Sequence, residues 1–318
     1  MARQHPTTLF PMVQIKKDTW EIDEFDCISM FLLIGSERAL LIDCGFGMGD
    51  VEAAIRGITD KPLTVVVTHR SVDHVAGAWK FPEIYIHPLD RDSVLPYSVE
   101  TRAKDFGVIK RRQHDCLPSV YSLHNLYGYE VEKDMLPLDP NKPPVIHDLY
   151  DGQQFDLGGG RVVTAYYVPG HSPGHMMFLD EYTRSLFVGD MLNYNLGVRS
   201  APVETTLHSL RKMEALKDKY DDIYNGHHDF RAIGAPLEED CLPTAISLLE
   251  DILAGKASMI TVPNFFFDYT RPPTRMAVKD KVYIGYDPKR MVEADGLAST
   301  ADWASRYELE NESKEGKG

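Results

Sequence analysis

Residues 64–74, Thr64-Val65-Val66-Val67-Thr68-His69-Arg70-Ser71-Val72-Asp73-His74, join an apolar run to a cluster of polar side chains. The run predicts a buried strand, because β-branched side chains favour extended backbone. His69 then stands at the exit of this strand, and Asp73 and His74 follow a few residues later. Groups that carry out chemistry in α/β proteins gather on such loops. We therefore expect this loop to present several donors to one point.

Three more polar signatures follow along the chain. They are Pro169-Gly170-His171-Ser172-Pro173-Gly174-His175, then Gly189-Asp190, then Gly226-His227-His228-Asp229. A single histidine in such a place is more often a satisfied polar residue or a surface group. Four clusters in this order favour a metal site, and a mixed set of imidazoles and carboxylates suits borderline metals such as Zn or Fe.

The remaining pattern alternates strands with helices, which is typical of an α/β layer structure. A turn at residues 35–38 joins the first two predicted strands. The predicted strands cover 28–34, 39–43, 64–68, 83–87, 161–168, 176–179 and 185–188, and the predicted helices cover 50–55, 205–219 and 243–254.

Two segments stand apart from this alternation. The charged, tyrosine-containing stretch at about 90–147 predicts a helical insertion within a main domain of residues 1–260. Residues 261–318 form an aromatic extension with a hairpin at 276–287 and a charged tail, which we expect to pack on the same domain. The rings of this extension allow two interpretations, core packing or the wall of an apolar pocket, the second of which adds two tyrosines of the insertion. The aromatic residues concerned are Phe265, Phe266, Phe267, Tyr269, Tyr121 and Tyr127.

Composition narrows the class of partner. The chain has 318 residues, 43% of them hydrophobic, and a formal net charge of -14. This charge disfavours nucleic acid and anionic membranes, which attract basic surfaces. The start of the chain lacks the apolar core of a signal peptide, and no run of 18 apolar residues occurs. Four widely separated cysteines fit reduced thiols, so we expect a cytoplasmic protein with a small-molecule substrate; the oligomeric state stays open.

The ordered set of His69, Ser71, Asp73 and His74, then His171, Asp190 and His227, resembles the metallo-β-lactamase-fold hydrolases. The first motif of that family is His-x-His-x-Asp-His. Further matches are Leu40-Leu41-Ile42-Asp43-Cys44-Gly45, Asp151-Gly152 and Leu186-Phe187-Val188-Gly189-Asp190. The resemblance covers roughly residues 20 to 230. Within the family, the chain is more similar to the hydroxyacylglutathione hydrolase and lactonase branch than to the secreted β-lactamases. It implies a four-layer αβ/βα sandwich with the insertion and the extension added.

The resemblance also implies the ligands of two metals. His69, position 71 and His171 would hold the first metal, Asp73, His74 and the last histidine would hold the second, and Asp190 would lie between them. Here Ser71 replaces the second histidine, so we expect one firmly held ion, with the other weak, absent or completed by another ligand. For the last histidine we favour His227 over His228, because it directly follows a glycine.

The function implied is hydrolysis of a small ester, thioester or lactone, with one or two Zn ions, or Fe or Mn, activating water. Asp73 would bind the metal and orient the water, and Tyr194 would donate to the developing oxyanion. Two other classes are a non-hydrolytic metal enzyme, flavodiiron-like or a lyase, and a metal-poor member that binds a ligand without turnover. Arg70 would either point to solvent or clamp a substrate carboxylate.

Two rival motifs are weaker. Gly170-His171-Ser172-Pro173-Gly174 satisfies the G-x-S-x-G pattern of serine hydrolases, but the residues after it predict a strand where that pattern requires a helix. Residues 45–50 resemble the glycine-rich loop of dinucleotide-binding proteins, but the third glycine comes one residue earlier than in that motif.

Overall fold

The computed structural model describes residues 10–24, 28–103, 135, 137–198, 200–228, 231–262 and 274–296. Its first sheet has seven strands in chain order. The first four are antiparallel neighbours, and the last three continue parallel to the fourth. They are β1 (Met12–Lys16), β2 (Thr19–Glu24), β3 (Ile28–Ile34), β4 (Ala39–Ile42), β5 (Leu63–Val66), β6 (Glu83–Ile86) and β7 (Val145–Asp148).

A second sheet lies face to face with the first. Its spatial order is β13-β11-β10-β9-β8, with β13 parallel to β11. The strands are β8 (Gln154–Asp156), β9 (Val162–Tyr167), β10 (Met176–Asp180), β11 (Ser185–Gly189) and β13 (Asp222–Asn225).

The alternation of side chains along β3 explains why this sheet is buried on both faces. Met30 and Leu32 pack with Ile55 of the helix α1 (Val51–Arg56). Phe31 and Leu33 point the other way, into a core shared with the second sheet. Successive residues of a strand point to opposite faces, so an uninterrupted apolar run supplies two cores at once.

Helices cover the outer faces. α1 and the short α2 (Val72–Val75) lie against the first sheet. α3 (Val203–Ala215) and α4 (Cys241–Leu253) cover the second sheet, whose outward residues share a core cluster with them. The predicted four-layer sandwich is thus confirmed.

A third sheet was not predicted. Its order is β12-β16-β15-β14, formed by β12 (Asn195–Val198), β14 (Ser258–Val262), β15 (Thr274–Lys279) and β16 (Val282–Tyr286). The last two strands are the predicted hairpin, which pairs through β16 with β12 from the main domain. Short half-buried strands such as β12 carry little periodic signal, so only the pairing reveals them.

Three predictions fall outside the described residues, one of them the charged tail, which follows residue 296. Most of the helical insertion lies at 104–134, and the aromatic run at 265–269 lies in the gap between β14 and β15. At the start of the insertion, the described chain forms a 3-10 turn over Pro88–Ser93. A search of the described residues finds no helix that is long and apolar enough to cross a membrane.

Candidate metal centre

The predicted donors meet at one edge of the sandwich. Three of them follow the second-sheet strands β9, β11 and β13: His171, Asp190 and His227. These strands run in the same direction, because β9 and β11 both pair antiparallel with β10 and β13 is parallel to β11. His69 follows β5 of the first sheet, and Ser71 is the N-cap residue of α2, which carries two further donors, Asp73 and His74. The strand ends thus bring the donors together in one cluster.

The side chains form two donor groups. The first group is His69, His171 and Asp190, and the second group is Asp73, His74 and His227; within each, the donor atoms lie within 4.8 Å of one another. In the first group, Asp190 Oδ2 lies 3.8 Å from His69 Nε2 and 3.5 Å from His171 Nε2. In the second, Asp73 Oδ2 lies 3.8 Å from His74 Nε2 and 3.5 Å from His227 Nε2.

Asp190 links the two groups. Its Oδ2 atom faces the first group, while its Oδ1 atom lies 3.4 Å from His74 Nε2 and 3.2 Å from His227 Nε2. Each carboxylate oxygen therefore serves one group.

The donor set fits a metal. Within the described part of the chain, Nε2 of His69 and Nε2 of His74 are buried and make no hydrogen bond. Leaving a buried polar atom unpaired costs about 1–3 kcal/mol, so such atoms call for a ligand. Both imidazoles are fully buried, whereas the side chains of Asp73, Asp190 and His227 retain 14–22% exposure. Solvent therefore reaches the donors through Asp73, Asp190 and His227, while the two imidazoles lie behind them.

Hydrogen bonds to the opposite ring nitrogens fix the imidazoles. His74 Nδ1 lies 2.8 Å from Asp43 Oδ2, and His69 Nδ1 lies 3.0 Å from Thr68 Oγ1. The Thr68 hydroxyl and backbone N–H both donate to Asp43. His171 Nδ1 lies 3.1 Å from a backbone carbonyl, that of Gly197. Such outer partners set the ring orientation and leave Nε2 free to bind a metal.

The carboxylates and imidazoles strongly perturb one another. Burial, with the neighbouring His74, lowers the pKa of His69 well below its usual value. Burial also opposes charge on His74, but the carboxylates of Asp190 and Asp43 outweigh it and raise the pKa of His74 well above its usual value. For Asp190, burial raises the pKa, but His227 and His74 outweigh burial and hold the pKa well below its usual value. Opposite charges this close in a buried site favour the ionised carboxylate.

Comparison with known proteins identifies the family. The model of the metallo-beta-lactamase superfamily matches residues 25–227, which include all six donors. The chain belongs to the metallo-beta-lactamase superfamily.

Three curated relatives within the superfamily are similar over part of the chain. An acyl-coenzyme A thioesterase MBLAC2 of Gallus gallus is 27% identical over 52% of this chain and 57% of its own length. A hydroxyacylglutathione hydrolase GloC of Haemophilus influenzae is 26% identical over 62% and 84%. An atrochrysone carboxyl ACP thioesterase of Aspergillus fumigatus is 25% identical over 57% and 45%. The chain thus spans little more than half the length of the MBLAC2 relatives that it matches.

Solved structures support the fold. A metallo-beta-lactamase from Pontibacter korlensis aligns with a TM-score of 0.51 at 15% identity, covering 76% of this chain and all of that one. The sec-alkylsulfatase Pisa1 of Pseudomonas aligns with the same TM-score at 11% identity, covering 78% of this chain and 42% of that one. At these identities the likeness concerns the fold alone.

Two residues of the superfamily's first motif differ in role from the donors beside them. Ser71 caps α2 through its backbone carbonyl, which accepts from the N–H of His74, and it makes no side-chain cap. The backbone N–H of Arg70 donates to Asp90 Oδ2 at 3.1 Å, and the Arg70 charge acts to lower the pKa of the Asp90 carboxyl. Burial is the larger effect and raises that pKa. Arg70 therefore contacts Asp90 through its backbone and lies close enough for its charge to act on that carboxylate.

The structure separates the two neighbouring histidines. His227 faces Asp73 and Asp190, whereas Nδ1 of His228 lies 2.9 Å from Asp23 Oδ1, away from the donor groups. His227 therefore belongs to the second donor group, whereas His228 does not.

Tyr194, the predicted oxyanion donor, makes contacts within the core. Its hydroxyl accepts a hydrogen bond from the backbone N–H of Glu238 at 3.1 Å, and its ring packs in the core between the second sheet and α4. The ammonium of Lys281 lies 5.5 Å from the ring centre. The contacts of Tyr194 are therefore those of a core residue, and its role as an oxyanion donor stays a prediction.

The contacts of the serine-hydrolase motif and of the dinucleotide-loop motif do not fit the functions that these motifs suggest. Ser172 is 2% exposed, and its hydroxyl donates to Asp90 Oδ2 at 2.5 Å, so it is held as a structural donor rather than presented as a nucleophile. In the glycine-rich loop, the Glu24 carboxylate accepts from the backbone N–H groups of Phe46, Met48 and Gly49. Those groups are the ones that a dinucleotide phosphate would need.

Sequence reasoning missed three supporting residues. Asp43 leaves β4 with a positive φ of 65° and contacts Thr68 and His74. Asp90 joins the loop of the first motif to that of His171 by accepting from Arg70, Ser172 and Gly174. His175 stacks on His69 with ring centres 4.8 Å apart, and its Nε2 accepts from the backbone N–H of Asp190. A polar residue directly after a buried strand is a signal that would have found Asp43, whereas Asp90 lies within a 3-10 turn four residues after β6.

Proposed function

We propose that this chain is a metal-dependent hydrolase of a small thioester, with esters and lactones as related substrates. The observation that carries the proposal is the pair of donor groups joined by Asp190, with buried imidazole nitrogens aimed between them. The choice of thioester is supported by the names of the relatives, two thioesterases and a hydrolase of an acylated glutathione.

Zinc is the metal that the donors suit best. Imidazole nitrogen and carboxylate oxygen are its common ligands, and the second group offers two imidazoles with a carboxylate. When bound, such a metal lowers the pKa of a water ligand toward neutrality and polarises a carbonyl. Because Ser71 removes one imidazole beside His69 and His171, we propose that the second group binds its ion more tightly than the first.

Three carboxylate residues of the chain would have separate roles in the site. Asp190 holds the two groups together through separate oxygens. Asp73, the most exposed donor of its group, lies at the open side of the cleft and would orient the attacking water by accepting its hydrogen bond. Asp43 keeps the His74 proton on Nδ1, so that Nε2 stays a donor to the metal.

The experiment measures metal content and hydrolysis of acyl-coenzyme A, acyl-glutathione and lactone substrates. Asp73→Ala and His74→Ala should lose metal and activity together, whereas Ser172→Ala should keep both. A chelator that leaves hydrolysis intact, or a Ser172→Ala variant that keeps its metal and loses hydrolysis, would overturn the proposal in favour of serine chemistry.

A further inference from the structure

One face of β2 carries a row of buried polar side chains. Residues 19, 21 and 23 alternate with apolar positions, so Thr19, Glu21 and Asp23 point to the same face of the strand. All three are fully buried. A buried carboxylate is costly unless it is paired, so each of them must meet a partner from elsewhere in the chain.

The partner of Glu21 is an arginine 210 residues away. Arg231 Nη2 lies 2.7 Å from Glu21 Oε1, and Nη1 lies 3.1 Å from Oε2. Both side chains are at most 3% exposed. We call this two-point ion pair the Glu21–Arg231 clamp.

The clamp contacts the chain just before His227. Arg231 Nε donates to Asn225 Oδ1 at 2.7 Å, and Nη2 donates to the Asn225 carbonyl at 3.2 Å. Asn225 ends β13 and lies two residues before His227. Glu21 also accepts from the backbone N–H of Gly234 at 2.6 Å, so the clamp ties both ends of the 225–234 segment to β2.

Neighbouring contacts leave His227 little freedom. The carbonyl of Gly226 accepts from the N–H of Ser29 at 2.8 Å, and on the other side of His227 the ring of His228 pairs with Asp23. A Cβ added at Gly226 would lie 2.6 Å from His74 Cε1 and 3.1 Å from Asp190 Oδ1. The loop therefore runs directly against the donors, and a small displacement of it changes the distances in the second group.

We propose that Glu21 and Arg231 are positioning residues that hold His227 in place for metal binding by the second donor group. The inference rests on the metal-dependent function proposed above, and it adds two buried residues that lie outside the range matched by the family model, residues 25–227. Its physical basis is rigidity, because metal affinity depends on donors already being held in the bound geometry.

A matched control is the buried ion pair of Arg161 and Asp180, in which Arg161 contacts Thr19 on the same face of β2. Arg161 is 1% exposed, and its Nη2 lies 2.6 Å from Asp180 Oδ2 and 2.6 Å from Thr19 Oγ1. Arg161 also donates to the backbone carbonyls of Asp18, in the turn before β2, and of Ile34, and its guanidinium lies 5.7 Å from the centre of the Tyr182 ring. Breaking the Arg161–Asp180 pair should perturb the core about as much as breaking the Glu21–Arg231 clamp. It does so without removing a contact to the 225–234 segment.

The experiment titrates Zn²⁺ against a competing chelator and measures hydrogen exchange of the Gly226 amide in metal-free protein. Arg231→Gln should weaken Zn²⁺ binding roughly 10- to 100-fold and speed the exchange of Gly226. Arg231→Lys, which keeps the charge, should fall between Arg231→Gln and the wild type. Arg161→Gln should lower the melting temperature and leave both readouts unchanged.

Any of three results would overturn the proposed role of the clamp. They are an unchanged Zn²⁺ affinity in folded Arg231→Gln, an equal loss of Zn²⁺ affinity in Arg161→Gln, and an unchanged exchange rate of the Gly226 amide in Arg231→Gln. If Arg231→Gln fails to fold, Asn225→Ala decides, because it removes only the contact with Nε and should still weaken binding. A wild-type protein that binds no Zn²⁺ would refute the proposed function alone, and the exchange of Gly226 would then decide the clamp.

Discussion

The carboxylate behind His74 offers the sharpest test of the metal centre. Asp43 Oδ2 lies 2.8 Å from His74 Nδ1, while Oδ1 accepts from the backbone N–H of Thr68 at 2.7 Å. Asp43→Asn keeps the size of the side chain, and asparagine tolerates the positive φ of 65° at this position. The substitution therefore changes the hydrogen-bonding character of one atom and little else.

The asparagine amide cannot satisfy both neighbours. If its NH₂ group faces His74, Nδ1 must accept, and the proton moves to Nε2, the atom that faces Asp190. If the amide turns over, the N–H of Thr68 loses its acceptor. Replacing such an outer partner costs 10- to 100-fold in metal affinity. At about 1.4 kcal/mol per factor of ten, this is about 1.4–2.8 kcal/mol of binding free energy.

The assay is a competitive Zn²⁺ titration together with the melting temperature. The control is Asp180→Asn, which breaks a fully buried pair with Arg161 and should cost about 3–5 kcal/mol of stability while leaving Zn²⁺ affinity unchanged. Asp43→Asn should show the reverse, a modest loss of stability with a clear loss of affinity. If folded Asp43→Asn binds Zn²⁺ as tightly as the wild type, then the Asp43–His74 contact does not support a metal ligand, and the reasoning fails.

Three further predictions concern neighbouring residues. Ser172→Ala should cost about 1 kcal/mol of stability and keep hydrolysis, since Asp90 retains two backbone donors; loss of hydrolysis with the metal retained would contradict this. Ser71→His should raise metal content toward two ions per chain, and an unchanged content in a folded variant would mean that position 71 does not face the donors. Burial lowers the pKa of Lys80 from 10.5 to about 8. The unfolded chain therefore binds more protons between these values, and the stability contributed by Lys80 should rise with pH across that window by up to about 3 kcal/mol. Chemical denaturation of wild type and Lys80→Met at several pH values checks this, and parallel stability curves would refute it.

Much of the fold was predictable because its signals are local. The apolar run of β3 and the turn after it come out as predicted, since side-chain alternation and turn residues act within a few positions. The donors were predictable for a similar reason. Histidine and aspartate residues that follow apolar strands lie at the strand ends. Parallel strands place those ends at one edge of the sheet.

Tertiary structure decided the rest. The sharing of Asp190 between two donor groups, the turn of Tyr194 into the core, and the pairing of β12 with β16 depend on elements far apart in the chain. The Glu21–Arg231 clamp joins residues 210 positions apart. Sequence therefore determined which groups could do the chemistry and at which edge they emerge. Packing determined which atoms face each other, because the direction of a side chain beyond its strand is set by long-range contacts that no local pattern encodes.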